Sequence, residues 1–440
     1  MTSSSASRTA SPAISADNTD PYLWVGSSTG GWRDGANWED QTTSTTGSYP
    51  TLRNAVQFGV DNASQQTQAN VTVTGDGGSA SLGLYGNLTL AGTFRTGALS
   101  LFLFYKPAGN VYLDSTLTVT GAGNSLDAQS AHTAGNLEVN DGATMTVRGA
   151  YDIASGAPTP NPAHYELYGL RVDGAGSRVT IGGVLSTDNA SDIIVSNGGY
   201  LEARHMVLDN TFPVGAYAVN DAQSTIEVGT LGNAAAGTWT VDAGRMLTIE
   251  KGVQLSAPEF VVNGWIDDVG GLKLTGSPGD VTGTGRIKIE ANALLVIGQG
   301  GDQLSVVFGG DGAELNLANG TAGFNSTLRQ FAAGDSILVS GLTFDSATWQ
   351  RNTLSLFDSG TLVGTLKMFG RYAGDTFSVS NGTITLNAGA SSSSAERVAP
   401  KSLQLFTQAM AGFERHMSAL HDVSPALTQH DAHPMLAAAR

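Results

Sequence analysis

Asp267 and Asp268 form the only Asp-Asp pair in the chain, and Lys273, Arg286 and Lys288 follow close behind. Two carboxyl groups facing each other across a cleft would serve glycoside hydrolysis, one as acid and the other as base or nucleophile. A Lys or Arg base beside acidic calcium ligands would instead serve a polysaccharide lyase. Lysines number six, at 106, 251, 273, 288, 367 and 401, so Lys273 and Lys288 are the pair that neighbouring chain segments could bring together. In a strand, consecutive side chains point to opposite faces, so Asp267 and Asp268 need not share a cleft.

A second cluster is aromatic. Trp24, Trp32 and Trp38 are three of the six tryptophans and lie within one short glycine-rich stretch. They would either cap the first layer of a repeat fold or offer flat rings to a sugar. Metal chemistry has little footing. Gly309–Leu315 echoes a calcium-binding nonapeptide once, whereas such ions sit between tandem turns, so no cofactor is expected. His430 and His433 lack helical ligand spacing, and Pro434 follows them. No phosphate-binding glycine loop is present.

Composition narrows the rest. The absence of cysteine removes disulfides, thiolate metal sites and a Cys nucleophile. A net charge of −16 repels nucleic acid and anionic lipid. No stretch approaches the ~18 apolar residues of a membrane span. The 57 glycines and the low charged fraction of 14% favour strands and tight turns, while 40% apolar residues suffice for a core.

The elements that must position these residues are short and repetitive. Two apolar residues flank one inward-out alternation, a small polar turn follows, and a second short strand closes the unit. Copies are Leu137-Glu-Val139 with Met145-Thr-Val147, Leu170-Arg-Val172 with Val179-Thr-Ile181, Tyr217-Ala-Val219 with Ile226-Glu-Val228, Trp239-Thr-Val241 with Leu247-Thr-Ile249, and Ile287-Lys-Ile289 with Leu295-Val-Ile297. Ile193-Ile-Val195 with Leu201 is a looser copy. Starts at 137, 170, 193, 217 and 239 give a spacing in the ~20–50-residue range of solenoids. The expected fold is all-β, a right-handed parallel β-helix with a short C-terminal α-helix; a sandwich array is the alternative.

The expected organisation is a disordered tail at 1–20, a Trp-rich cap at 21–60, coils at 61–302, broader terminal coils at 303–389 and a Ser-rich linker at 390–399. An amphipathic helix at 400–421 would carry the stripe Leu403, Phe406, Met410, Phe413, Met417 and Leu420, with a flexible tail at 422–440. That helix would cap the solenoid, pair with a copy of itself or another protein, or act as an export signal. The proline-rich stretch 149–168 reads as a loop extruded from a coil.

The Trp-rich opening W-x-G…G-G-W-x-x-x-x-N-W, the ladder segments G-N-L-T-L and N-D-G-A-T-M-T-V, and the closing F-x-A-G-D-S-I-L-V-S-G-L and A-x-W-x-x-N-T-L-S-L resemble β-helix modules of bacterial autotransporter passengers and related exported surface proteins. The likeness spans roughly residues 22–390 and implies an extracellular or cell-surface protein. The polar N-terminus has no apolar core of a Sec signal, so export through the C-terminal tail is expected. The function expected is structural or adhesive, with a polysaccharide or cell-surface ligand, possible self-association through the C-terminal helix, and no nucleic acid or membrane span. The alternative is a polysaccharide-degrading lyase or hydrolase built on Asp267, Asp268, Lys273, Arg286 and Lys288. The Asp-Asp and R-I-K elements resemble those of polygalacturonases, although no histidine lies between 206 and 415.

Overall fold

The structure is a computed structural model. It describes residues 19–387 and the strand Ile14–Ser15, apart from short internal stretches of which 154–167 and 210–216 are the longest. The expected linker, C-terminal helix and flexible tail, most of the N-terminal tail and most of the proline-rich loop lie outside the described residues. Within them the protein is all-β, with one helical turn at Gly35–Asn37. Thirty-nine strands join one mostly parallel sheet that winds in a solenoid-like manner.

Three ladders run through it. The first face stacks Gly86–Ala91, Ser115–Thr120, Gly135–Asn140, Tyr168–Asp173, Ser191–Ser196 and Tyr217–Val219, all parallel. Its inward column is Leu88, Leu117, Leu137, Leu170, Ile193 and Tyr217, all buried. Side chains of one kind therefore sit above one another, about 4.8 Å apart. A buried Leu or Ile contributes about 1.5–3 kcal/mol in such a column.

The second and third faces share long strands that bend: Thr93–Leu101, Ser125–Thr133 and Arg178–Thr187. The bend shifts the alternation by one residue. In Thr93–Leu101 the buried positions are Phe94 and Thr96 before it, then Leu99 and Leu101 after it. Gly97 sits at that corner, and a Cβ there would lie 2.2 Å from the Ala80 carbonyl oxygen. Turns between faces use left-handed pairs such as Asp141-Gly142 and Asn197-Gly198, which this backbone region tolerates.

The stacking corrects two expectations. Tyr217-Ala-Val219 and Trp239-Thr-Val241 are not equivalent copies. Trp239 stacks on Ile226 and Phe260 in the second face, whereas Tyr217 stacks on Leu255 in the first. Thr225–Val228 and Thr238–Val241 are direct neighbours, so the second face carries one strand more than its companions here. Accordingly, Met206 of the third face rests straight on Leu247. Ile287-Lys-Ile289 belongs to the third face, between Ile266 and Val306.

The second correction concerns 303–389. Parallel coils continue through Ser336–Val339, and beyond it the chain forms antiparallel hairpins. Thr383–Asn387 pairs antiparallel with Ser336–Val339, and Thr361–Phe369 lies parallel to Thr327–Arg329. A parallel stack ends on open strand edges, and these added strands occupy them.

Close approach between coils makes some glycines obligatory. A Cβ at Gly285 would lie 2.1 Å from the Gly264 oxygen and 2.8 Å from the Val262 oxygen. Gly285→Ala should destabilise the protein by about 1–3 kcal/mol, as overpacking does. Gly31 has open space around its would-be Cβ, so Gly31→Ala serves as control. Equal melting temperatures for the two variants would refute the close-packing assignment.

Candidate functional site

The Asp267 region lies on the third face. Trp265–Asp268 stacks on Arg286–Ile289 with Trp265 opposite Arg286, Asp267 opposite Lys288 and Asp268 opposite Ile289. Strand alternation then sorts the residues. Trp265, Asp267, Arg286 and Lys288 point outward, while Ile266, Asp268, Ile287 and Ile289 are buried in the column. The two adjacent aspartates therefore face opposite sides of the sheet.

Asp268 is an acid inside an aliphatic stack. Its Oδ1 accepts a hydrogen bond from the Gly271 backbone N–H at 2.8 Å, and its buried Oδ2 has no hydrogen-bond partner. Burial pushes its carboxyl up to about 7, partly opposed by backbone N–H groups of Gly271 and Leu272. Asp267 is raised to about 6, first by burial and then by the neighbouring Glu290 charge, with Lys288 opposing. Lys288 pairs with Glu290, whose charge lies close enough to Asp267 to raise it, and the buried Asp267 Oδ1 has no hydrogen-bond partner.

The structure thus brings together Asp267, Lys288 and a residue that sequence reasoning missed, Glu290. It leaves Asp268 inside and places Lys273 on the first face, between Gln254 and Val296. A glycosidase needs two carboxyl groups facing each other across a gap for sugar and water, whereas Asp268 points into the core and Glu290 is engaged by Lys288. The five residues proposed from sequence do not form one catalytic cluster. The sequence signal for Glu290 was its position two residues after Lys288, on the same outward parity.

The tryptophans also need correcting as binding residues. Trp24, Trp32 and Trp38 are all buried. Trp38 stands edge-on to Trp24 at 5.0 Å and to Trp32 at 4.9 Å, with Phe58 at 5.4 Å. Such rings present no open face to a sugar; they pack the first layers. The Gly309–Leu315 segment forms a turn and the start of a first-face strand. Among the described residues no group of three or more His, Cys, Asp or Glu could hold a metal ion, and no helix is long and apolar enough to cross a membrane.

The second face holds a polar network that sequence reasoning did not single out. The Arg178 guanidinium lies 4.0 Å from the Tyr200 ring centre and pairs with Glu202 at 2.5 Å, and the Tyr200 hydroxyl donates to Glu227. Glu202 and Glu227 are the polar centres of otherwise aliphatic triplets.

Comparison with protein families, with curated proteins and with solved structures finds no match. The functional reading therefore stands on geometry and chemistry alone.

Proposed function

We propose that the chain is a right-handed parallel β-helix that works outside the cell as a rigid adhesive or scaffolding surface for polysaccharide or cell-surface ligands. The observation that carries this reading is the outward register of the first face. Asn70, Asn87, Thr116 and Asn136 form one column, and Thr72, Thr89 and Thr118 form the next. Hydroxyl and amide groups recur about 4.8 Å apart along each column, and each can donate and accept. A repeating polymer of hydroxylated units meets such a surface with the same contact many times over, so weak contacts add up.

The test has two arms. Native protein is sought in culture fluid, envelope and cytosol of the producing cell, and purified protein is screened against neutral and acidic polysaccharides for retention. Recovery outside the cytosol with glycan retention is the expected result; a cytosolic protein that retains none overturns the reading. The enzymatic alternative has one observation in its favour, Asp267 lying opposite Lys288, which pairs with Glu290. New reducing ends or unsaturated products in the same screen, lost in Asp267→Ala and Lys288→Ala, would promote it.

A further inference from the structure

The third face changes character after Asp268. Five successive strands, Trp265–Asp268, Arg286–Ile289, Ser305–Phe308, Thr327–Arg329 and the end of Thr361–Phe369, set up two outward columns. One runs Trp265, Arg286, Ser305, Thr327, Lys367. The other runs Asp267, Lys288, Val307, Arg329, Phe369. Four cations thus gather on one face of a chain whose net charge is −16.

Two of these cations are held in the same way. The Arg286 guanidinium lies 5.4 Å from the Trp265 ring centre, and that of Arg329 lies 5.1 Å from the Phe369 ring centre. Both rings are exposed, Trp265 at 37% and Phe369 at 41%, while the five other tryptophans are buried or partly buried. Lys288 is engaged by Glu290 and Lys367 by Asp302. Neither Arg286 nor Arg329 has an ion-pair partner among the described residues. Leaving a bulky ring on the surface has no benefit for the core. Stacking a guanidinium on it fixes the plane of that cation; the Arg329 Nε–H donates to the Ser305 hydroxyl at 3.4 Å, and its terminal N–H groups remain for a planar anion.

We propose that this face binds an acidic polysaccharide, with Arg286 and Arg329 each taking a carboxylate of the polymer. The inference rests on the glycan-binding reading and deepens it by naming the face and the ligand charge. Arg286 and Arg329 are two strands apart, roughly 10 Å along the stack, so they reach carboxylates on different sugars of one chain. Between them, Ser305 and Thr327 offer hydroxyls, and Asp267, Glu290 and Asp302 offer acceptors for sugar hydroxyls. Those same carboxylates count against a nucleic acid, whose charges come every ~1.7 Å and would meet them at each step. At physiological ionic strength the screening length is about 8 Å, so the distant acidic surface does not override local contacts.

The test uses the full chain at physiological salt with alginate as the uronic-acid polymer, dextran as the neutral one and a DNA oligonucleotide as competitor. Alginate should bind, and Arg286→Ala with Arg329→Ala should weaken it at least about tenfold, the loss of ~1.4 kcal/mol expected from one charged hydrogen-bonding group. Arg329→Glu should do the same, and Arg171→Ala on the first face should not. Circular dichroism and melting temperature confirm that the exposed substitutions leave the fold intact. Alginate binding that survives both third-face changes overturns the assignment, as does DNA displacing alginate more effectively than alginate itself. Dextran binding without alginate binding overturns it too, yet leaves the general glycan-surface reading standing; retention of neither polymer, and of no other glycan, removes both.

Discussion

Replacing Trp38 by alanine should cost about 3–5 kcal/mol, the range for emptying a fully buried large aromatic site. Trp38 is fully buried. Its indole N–H donates to the Trp32 carbonyl at 2.7 Å, and its ring is wedged between Trp24, Trp32 and Phe58. Trp32 in turn packs on the Gly77 backbone, where a Cβ would lie 2.2 Å from the indole. Alanine leaves the partner rings facing a void and the Trp32 carbonyl without its donor. Because each coil of a solenoid contacts only its neighbours, the damage should stay at that end. Hydrogen exchange should show early opening of the strands Tyr22–Trp24 and Ala55–Phe58 with Leu137–Val139 still protected. A variant whose denaturation midpoint and exchange pattern match the parent would sink the capping role.

Stability should also fall as pH rises from about 4 to about 7, against the usual trend for proteins rich in paired carboxylates. The cause is Asp268. Its carboxyl stands near 3.8 when unfolded and about 7 when folded, so the folded state holds a proton that the unfolded state has released. The contribution is complete below 3.8 and disappears as pH climbs through about 7. The free energy at stake is up to about 4 kcal/mol by linkage. Asp267, raised to about 6, acts in the same direction. Asp127 and Asp221 have lowered carboxyls, through Arg148 and through Ser224 with nearby backbone N–H groups respectively. They act oppositely, but below 3.8; His205, held below 6.5 first by burial and then by the charges of Arg245 and Arg204, also acts oppositely and within the window, equally in the parent and in the variant below. Asp268→Asn keeps an acceptor for the Gly271 N–H and removes the titration. Melting temperatures measured from pH 5 to 8 should fall for the parent and fall much less for this variant. Parallel slopes would show that Asp268 does not carry the effect.

The aliphatic triplets made the layered core legible. Leu137, Leu170, Ile193 and Tyr217 do stack in one column, as their shared pattern and spacing implied. What the triplets do not encode is which face they occupy. A strand, a small turn and another strand look alike whether the turn joins the first face to the second, as at Leu137, or the third to the first, as at Ile287. The phase was lost at Trp239 for that reason. Antiparallel closure was equally hidden, since Leu354-Ser-Leu356 has the same alternation as any coil strand. At the candidate site, alternation already separated Asp267 from Asp268. It did not say which was inside, because neither outcome matches the preference of a carboxylate for water. The burial of Trp24, Trp32 and Trp38 depended on contacts with Phe58 and Phe94 from other layers, which no local pattern records.

The supernumerary strand at Thr238–Val241 divides the stack into two blocks of unequal phase. One wall carries one strand more than the others here, a single spacing of about 4.8 Å. The two blocks should therefore exchange amide hydrogens separately, and uniform exchange across Thr225–Val228 and Thr238–Val241 would refute that.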